Sequence, residues 1–239
     1  MKKKPAPRLF QSATILLFFS GIAALIYQTI WIKQLTLVVG VNVYAVATGI
    51  SGFFAGLALG SAVMGRLADR SLSPFRMYAR LELGIAVLGI TSTIALAAAP
   101  SLFVAVQSKF GLLAWVIPFL LVAAPASLMG GTLPPLLAAV RPHAGSIGRS
   151  AGRLYAANTA GAIVGTLLTF IVIIPEFGIR GTSIVAATLN LVLAMAAFAH
   201  RESHKTTSHH SCSTQSHQML CRQLRLLHHC LFRCHEYAT

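Results

Sequence analysis

Long stretches without a charged side chain alternate along this chain with short clusters of basic residues. No Asp, Glu, Lys or Arg occurs in 9–32, 34–65, 83–108, 110–140, 154–175 or 181–199, gaps of 24, 32, 26, 31, 22 and 19 residues. A helix of roughly 20 apolar residues crosses a hydrocarbon core about 30 Å thick, so each gap suffices, or nearly so, for one crossing. Membrane β-strands read instead as alternating segments of about 10 residues, a pattern absent from this sequence. Helices satisfy the backbone within one segment, as lipid demands. The pattern predicts an all-α polytopic membrane protein with a six-helix transmembrane bundle over 9–199. It lies between a basic N-terminus at 1–8 and a tail at 200–239.

Composition supports lipid as the solvent. Of 239 residues, 56% are hydrophobic and 10% charged, against roughly 25% charged in a soluble domain. The net charge of +14 would suit nucleic acid if the basic residues formed a stripe with interleaved aromatics. They cluster between apolar runs instead, so the bilayer is the expected partner and nucleic acid is not. Lys2, Lys3, Lys4 and Arg8 precede the first gap, Arg66, Arg70, Arg76 and Arg80 follow the second, and Arg141, Arg149 and Arg153 follow the fourth. The intervening loops hold Lys33, Lys109 and Arg180. Basic residues mark cytoplasmic loops, which puts both termini in the cytoplasm. The first gap is too long for an ordinary signal-peptide core and reads as an anchor.

The tail differs in kind. All four cysteines (Cys212, Cys221, Cys230, Cys234) and eight of the nine histidines lie in it. The composition changes abruptly after the sixth gap, as expected if a natural continuation had been replaced, for example by a frame shift; a disordered natural tail is the alternative. Structural zinc sites favour two matched Cys-x2–4-Cys pairs, whereas one loose pair occurs here, so no metal or other cofactor is expected.

Two motifs stand 105 residues apart: Ala55-Gly56-x-x-x-Gly60-Ser61 and Ala160-Gly161-x-x-x-Gly165-Thr166. Small residues four apart share a helix face and let backbones approach. Each motif falls in the middle helix of a three-helix half, and three crossings reverse orientation, so the pair fits a 3+3 inverted repeat as well as packing alone. Gly65-Arg66-Leu67-Ala68-Asp69-Arg70 is a candidate cytoplasmic latch or an ordinary positive loop. Pro118, Pro125, Pro134 and Pro135 should break or kink the fourth helix. Gln28, Glu82 and Asn158 are candidates for a substrate or proton pathway, because polar groups in lipid are costly. Tyr27 and Trp31 read as interfacial anchors. No Walker loop or nucleophile elbow occurs, and one Asp with four Glu leaves little for acid–base catalysis, so no catalytic residue is assigned.

As an ordered set, these motifs resemble a known family. Ser20-Gly21-Ile22-Ala23-Ala24-Leu25-Ile26-Tyr27-Gln28-x-x-Trp31, the Ala55–Ser61 stretch running into Asp69-Arg70, Tyr78-Ala79-x-x-Glu82-Leu83-Gly84, Leu128-Met129-Gly130-x-Thr132-Leu133-Pro134, Leu154-Tyr155-Ala156-Ala157-Asn158-Thr159 and Ile174-Pro175-x-x-Gly178-x-Arg180-Gly181-Thr182 resemble the membrane domain of fused major-facilitator/spermidine-synthase proteins. The resemblance spans about 9–199. It implies half of a major facilitator, located in a bacterial inner membrane. It also implies a cytoplasmic partner domain similar to aminopropyltransferases, and hence a link to polyamine metabolism. No such domain follows His200 here, so catalysis is not carried over to any residue. Ser71-Leu72-Ser73-Pro74 also departs from the basic continuation usual after the family's Asp-Arg. The remaining expectations are a transporter half that pairs as a homo-oligomer to move a small solute such as a polyamine, or a membrane anchor.

Overall fold

The described residues of the apolar gaps are helical apart from the break at Gly131 and Thr132. A computed structural model describes residues 7–39, 43–141 and 146–199, and these are helical almost throughout, with no strand among them. We label the helices α1 (Pro7–Val39), α2 (Val43–Asp69), α3 (Pro74–Phe110), α4 (Val116–Gly130), α5 (Leu133–Val140), α6 (Ile147–Leu168) and α7 (residues 174–199). A 3-10 turn at Gly111–Trp115 joins α3 to α4, and a π-helical turn at Thr169–Ile173 joins α6 to α7. The basic segment before Pro7 and the His/Cys tail, with the zinc reading attached to it, lie outside the described residues.

Four helical runs are long and apolar enough to cross a membrane: Leu9–Leu37, Val43–Asp69, Pro74–Val140 and Ile147–Ala199. They mark the chain as a membrane protein. The count is four where the charge-free gaps predict six, because helix continues through positions at which the gaps end. Lys109 lies inside α3, and Glu176 and Arg180 lie inside α7, so the third gap runs on into the fourth and the fifth into the sixth. A long side chain can leave the apolar layer without breaking the backbone ladder. Pro100 is likewise accommodated within α3.

The prolines of the fourth gap act where the ladder can spare a donor. Pro134 and Pro135 occupy the first turn of α5, where the N–H would be free in any case. Between α4 and α5 the chain loosens at Gly131 and Thr132, whose amides donate to the Leu128 and Met129 carbonyls at 3.0 and 3.1 Å. Pro125 lies inside α4. The expected break is present at the Gly-Gly-Thr-Leu-Pro-Pro segment.

Two buried clusters organise the bundle. One joins Trp31 and Leu35 of α1, Ala45 of α2, Leu96 of α3, Val122 of α4 and, at its edge, Ile173 and Ile179. The other joins Leu9 and Ala13 of α1, Tyr78 of α3, Leu136 and Val140 of α5, Leu154 of α6 and Leu193 and Ala197 of α7. Each of the two longest runs thus has both ends in the second cluster and its middle in the first. Around this core the outward surface is apolar, with Phe54, Leu59, Ile94, Ile163, Phe170 and Phe198 among its exposed side chains.

Glycines bring the helices together. A Cβ on Gly56 would lie 2.5 Å from the Ala123 carbonyl oxygen, and one on Gly60 would overlap that of Ser127. A Cβ on Gly165 would lie 2.5 Å from the Ile22 carbonyl oxygen, and one on Gly161 would overlap that of Phe18. Both small-residue motifs therefore serve close packing, α2 on α4 and α6 on α1. Gly65 has no such neighbour within 4 Å. Gly161→Leu and Gly60→Leu should each destabilise the detergent-solubilised protein by about 1–3 kcal/mol, the usual range for overpacking, whereas Gly65→Ala should leave its thermal midpoint unchanged.

Candidate functional site

The seam between α1 and α3 holds most of the buried polar side chains that bond across helices. Ser20 Oγ donates to Glu82 Oε1 at 2.7 Å, Tyr78 Oη donates to the Leu16 carbonyl at 3.2 Å, and Trp31 Nε1 donates to Thr93 Oγ1 at 3.1 Å. All three pairs are separated by 62 residues. Tyr27 and Gly89 follow the same offset, with the Tyr27 ring filling the space of the absent Cβ. A constant difference in residue number means that α1 and α3 run parallel and in register. The paired positions (16, 20, 27 and 31) follow at steps of 4, 7 and 4 residues, so they share one helix face along the seam. One turn beyond Trp31, Gln34 Nε2 donates to the Thr93 carbonyl at 2.8 Å.

Glu82 is fully buried. Its Oε1 accepts from Ser20, while Oε2 has no partner within bonding geometry. The Tyr78 hydroxyl lies against the same carboxyl. No ion pair to Glu82 occurs among the described residues. Tyr27 Oη and Gln34 Oε1, in the same seam, are also buried without a partner, as is Asn190 Nδ2 on α7. Unsatisfied polar atoms at such depth are costly, so their concentration along one seam is informative.

The pathway candidates are distributed unevenly. Asn158 of α6 backs onto Gly21, where an added Cβ would meet its carbonyl and lie 3.1 Å from Oδ1. The turn at Ser20-Gly21 is therefore flanked by Glu82 on one side and Asn158 on the other. Gln28 is half-buried two turns further along α1, away from both. Tyr27 and Trp31, read as interfacial anchors, do not present their rings to the lipid side of the bundle. They stack at 5.2 Å inside the bundle and are wholly buried, because α3 offers Gly89 as a seat and Thr93 as an acceptor.

The latch candidates also pair differently from expectation. Asp69, at the end of α2, bonds Arg141 at the end of α5, N–O 2.9 Å, with both side chains about half exposed. Arg66 and Arg70 form no ion pair among the described residues. Sequence reasoning passes over Ser20, Tyr78, Thr93 and Arg141, since each gains its role from a residue far along the chain. The motif Tyr78-x-x-x-Glu82 is visible in the sequence, and its i, i+4 spacing places both side chains on one face.

No family model, curated protein or solved structure matches the chain. The geometry of the seam and of the glycine contacts therefore carries the functional reading.

Two measurements follow from these contacts. A double-mutant cycle of Trp31→Phe with Thr93→Val should give a coupling near 0.6 kcal/mol, the average for interhelical bonds in membranes, and additive effects would show the bond to be idle. Asp69→Asn should cost no more than about 1 kcal/mol given its exposure and salt screening, and the swap Asp69→Arg with Arg141→Asp should restore the thermal midpoint.

Proposed function

We propose that the chain is a six-crossing membrane domain of half-major-facilitator type, built from two three-helix repeats of opposite orientation. In this reading it is the membrane domain of a spermidine-synthase-like protein, with a role in polyamine metabolism at the cytoplasmic side of a bacterial inner membrane. One observation carries the architecture. Shifting residue numbers by 105 turns the pair Gly56–Ala123 into Gly161–Phe18 and the pair Gly60–Ser127 into Gly165–Ile22, with the roles of the two halves exchanged. Both sets are glycine-on-carbonyl contacts. The same shift carries the start of α2 at Val43 onto 148, against the start of α6 at Ile147, and the start of α3 at Pro74 onto 179, just after Gly178.

Physical arguments support six crossings from four runs. A run of 67 residues would stretch about 100 Å at 1.5 Å per residue, over three times the thickness of a hydrocarbon core of about 30 Å. Gly111 and Gly178 have φ of 56° and 63°, left-handed values that do not continue a straight helix. Ser92 Oγ donates to the Leu121 carbonyl at 2.8 Å and Leu128 packs over Gly84, so numbers rise in α3 as they fall in α4, the register of a hairpin. The offset of 67 residues between Gly56 and Ala123 and between Gly60 and Ser127 makes α2 and α4 parallel. These directions alternate as six successive crossings require, with Asp69, Arg141 and Arg149 on the cytoplasmic side.

Single-cysteine probes in a cysteine-free background test the topology in intact cells. Impermeant reagent should reach positions 111 and 177 from outside, and positions 72 and 149 only after permeabilisation. Labelling of 111 and 149 from the same side would end the six-crossing reading. Vesicles containing the full chain should accumulate labelled spermidine or putrescine, and Asn158→Ala should lower that uptake. No uptake by the wild-type chain removes solute transport and leaves the domain as an anchor.

A further inference from the structure

From the geometry of the α1–α3 seam we infer that Glu82, held by Ser20, is a proton-binding site whose loading governs the opening of that seam. The inference rests on the membrane placement of α1 and α3 given above, and it is independent of whether any polyamine moves.

The repeat geometry does not itself call for a carboxyl at this position. The shift of 105 that relates the glycine contacts places Ala187 at the position of Glu82 and Pro125 at that of Ser20, both buried. At these two positions the second repeat carries only apolar side chains. The first repeat accepts a carboxyl, a hydroxyl and an unpartnered oxygen, at a cost that a purely structural position would not carry.

The occupant follows from what the site offers. Metal cations of the calcium or magnesium type take six or more oxygens, and the contacts of Glu82 comprise Ser20 Oγ and the Tyr78 hydroxyl. A polyamine would have to force α1 and α3 apart to touch a fully buried group. A proton needs neither space nor further ligands, and Oε2 is free to carry it. With the proton bound, Glu82 is neutral and the seam stays dry. Once the proton leaves, the negative charge has no cation beside it among the described residues and must draw in water, which requires α1 and α3 to separate. Tyr78 is the titratable group acting on Glu82 from α3; α1 contributes Ser20, which is not titratable, and no charged group of the other described helices acts on it. Tyr78 stays anchored to the Leu16 carbonyl, which leaves the carboxyl to titrate.

The full chain, freed of its own cysteines and placed in liposomes, provides the test. The rate of reaction with a thiol reagent at a cysteine replacing Ala86, buried in α3 one turn from Glu82, divided by that at a cysteine replacing the exposed Leu72 to remove the ionisation of the thiol itself, should rise with pH. One proton permits at most about a tenfold change in this ratio per pH unit. In a Glu82→Gln background the ratio should stay low at all pH values, and the infrared band of a protonated carboxyl should be missing, whereas Glu176→Gln retains both. If Glu82→Gln does not fold, Ser20→Ala serves instead, and should move the midpoint of the response while keeping its amplitude. The same pH dependence with and without Glu82, or no protonated-carboxyl band in the wild-type chain, would overturn the inference. Solute uptake enters neither readout, so a failed transport reading and a failed proton site are told apart.

Discussion

Glycine seats under backbone carbonyls set the geometry on which the rest of this bundle depends. Lipid tails compete on equal terms for every apolar side chain, so burial alone gives helices in a bilayer little reason to choose one neighbour over another. Close approach does give such a reason, since dispersion and weak Cα–H···O contacts reward helices that have nothing protruding between them. Here the Ala123 and Ser127 carbonyls rest where α2 has Gly56 and Gly60, and the Phe18 and Ile22 carbonyls where α6 has Gly161 and Gly165. Those contacts fix α2 against α4 and α6 against α1. The large exposed side chains, such as Phe54 and Ile163, are then left on the outside for lipid to cover.

Once α1 is placed, its other face becomes the polar seam with α3. Three hydrogen-bonded pairs at one constant offset lock the register, and a slip of a single turn would separate Ser20 from Glu82 and Trp31 from Thr93 together. Glycine-on-carbonyl contacts occur at both motifs, whereas the polar chemistry is concentrated at one place. Polar atoms without partners gather along α1–α3, while the related positions Pro125 and Ala187 are apolar.

What the sequence reveals follows from the range of each interaction. Charge-free gaps are a local property, and they locate helical segments well. The two Gly-x-x-x-Gly motifs announce close packing, but not their partners, because α4 and α1 present carbonyls there and carbonyls leave no trace in a sequence. Tyr27 and Trp31 resemble interfacial anchors by composition, and they are buried because Gly89 and Thr93 lie opposite them, 62 residues away. The local sequence sets Asp69 beside Arg66 and Arg70, yet its partner is Arg141, brought near by the folding of α5 against the end of α2. Helix ends are misplaced by the charge pattern where Lys33, Arg80 and Glu82 stop a gap without stopping a helix.

The parallel register of helices that are two apart in the chain is the feature on which the seam and the proposed topology rest. Disulfide trapping in native membranes tests it directly. In a chain freed of its own cysteines, a pair at 24 and 86, one step along the constant offset, should oxidise readily, while a pair at 24 and 75 should stay reduced. Trapping of the second pair, or failure of the first in a folded protein, would contradict the account.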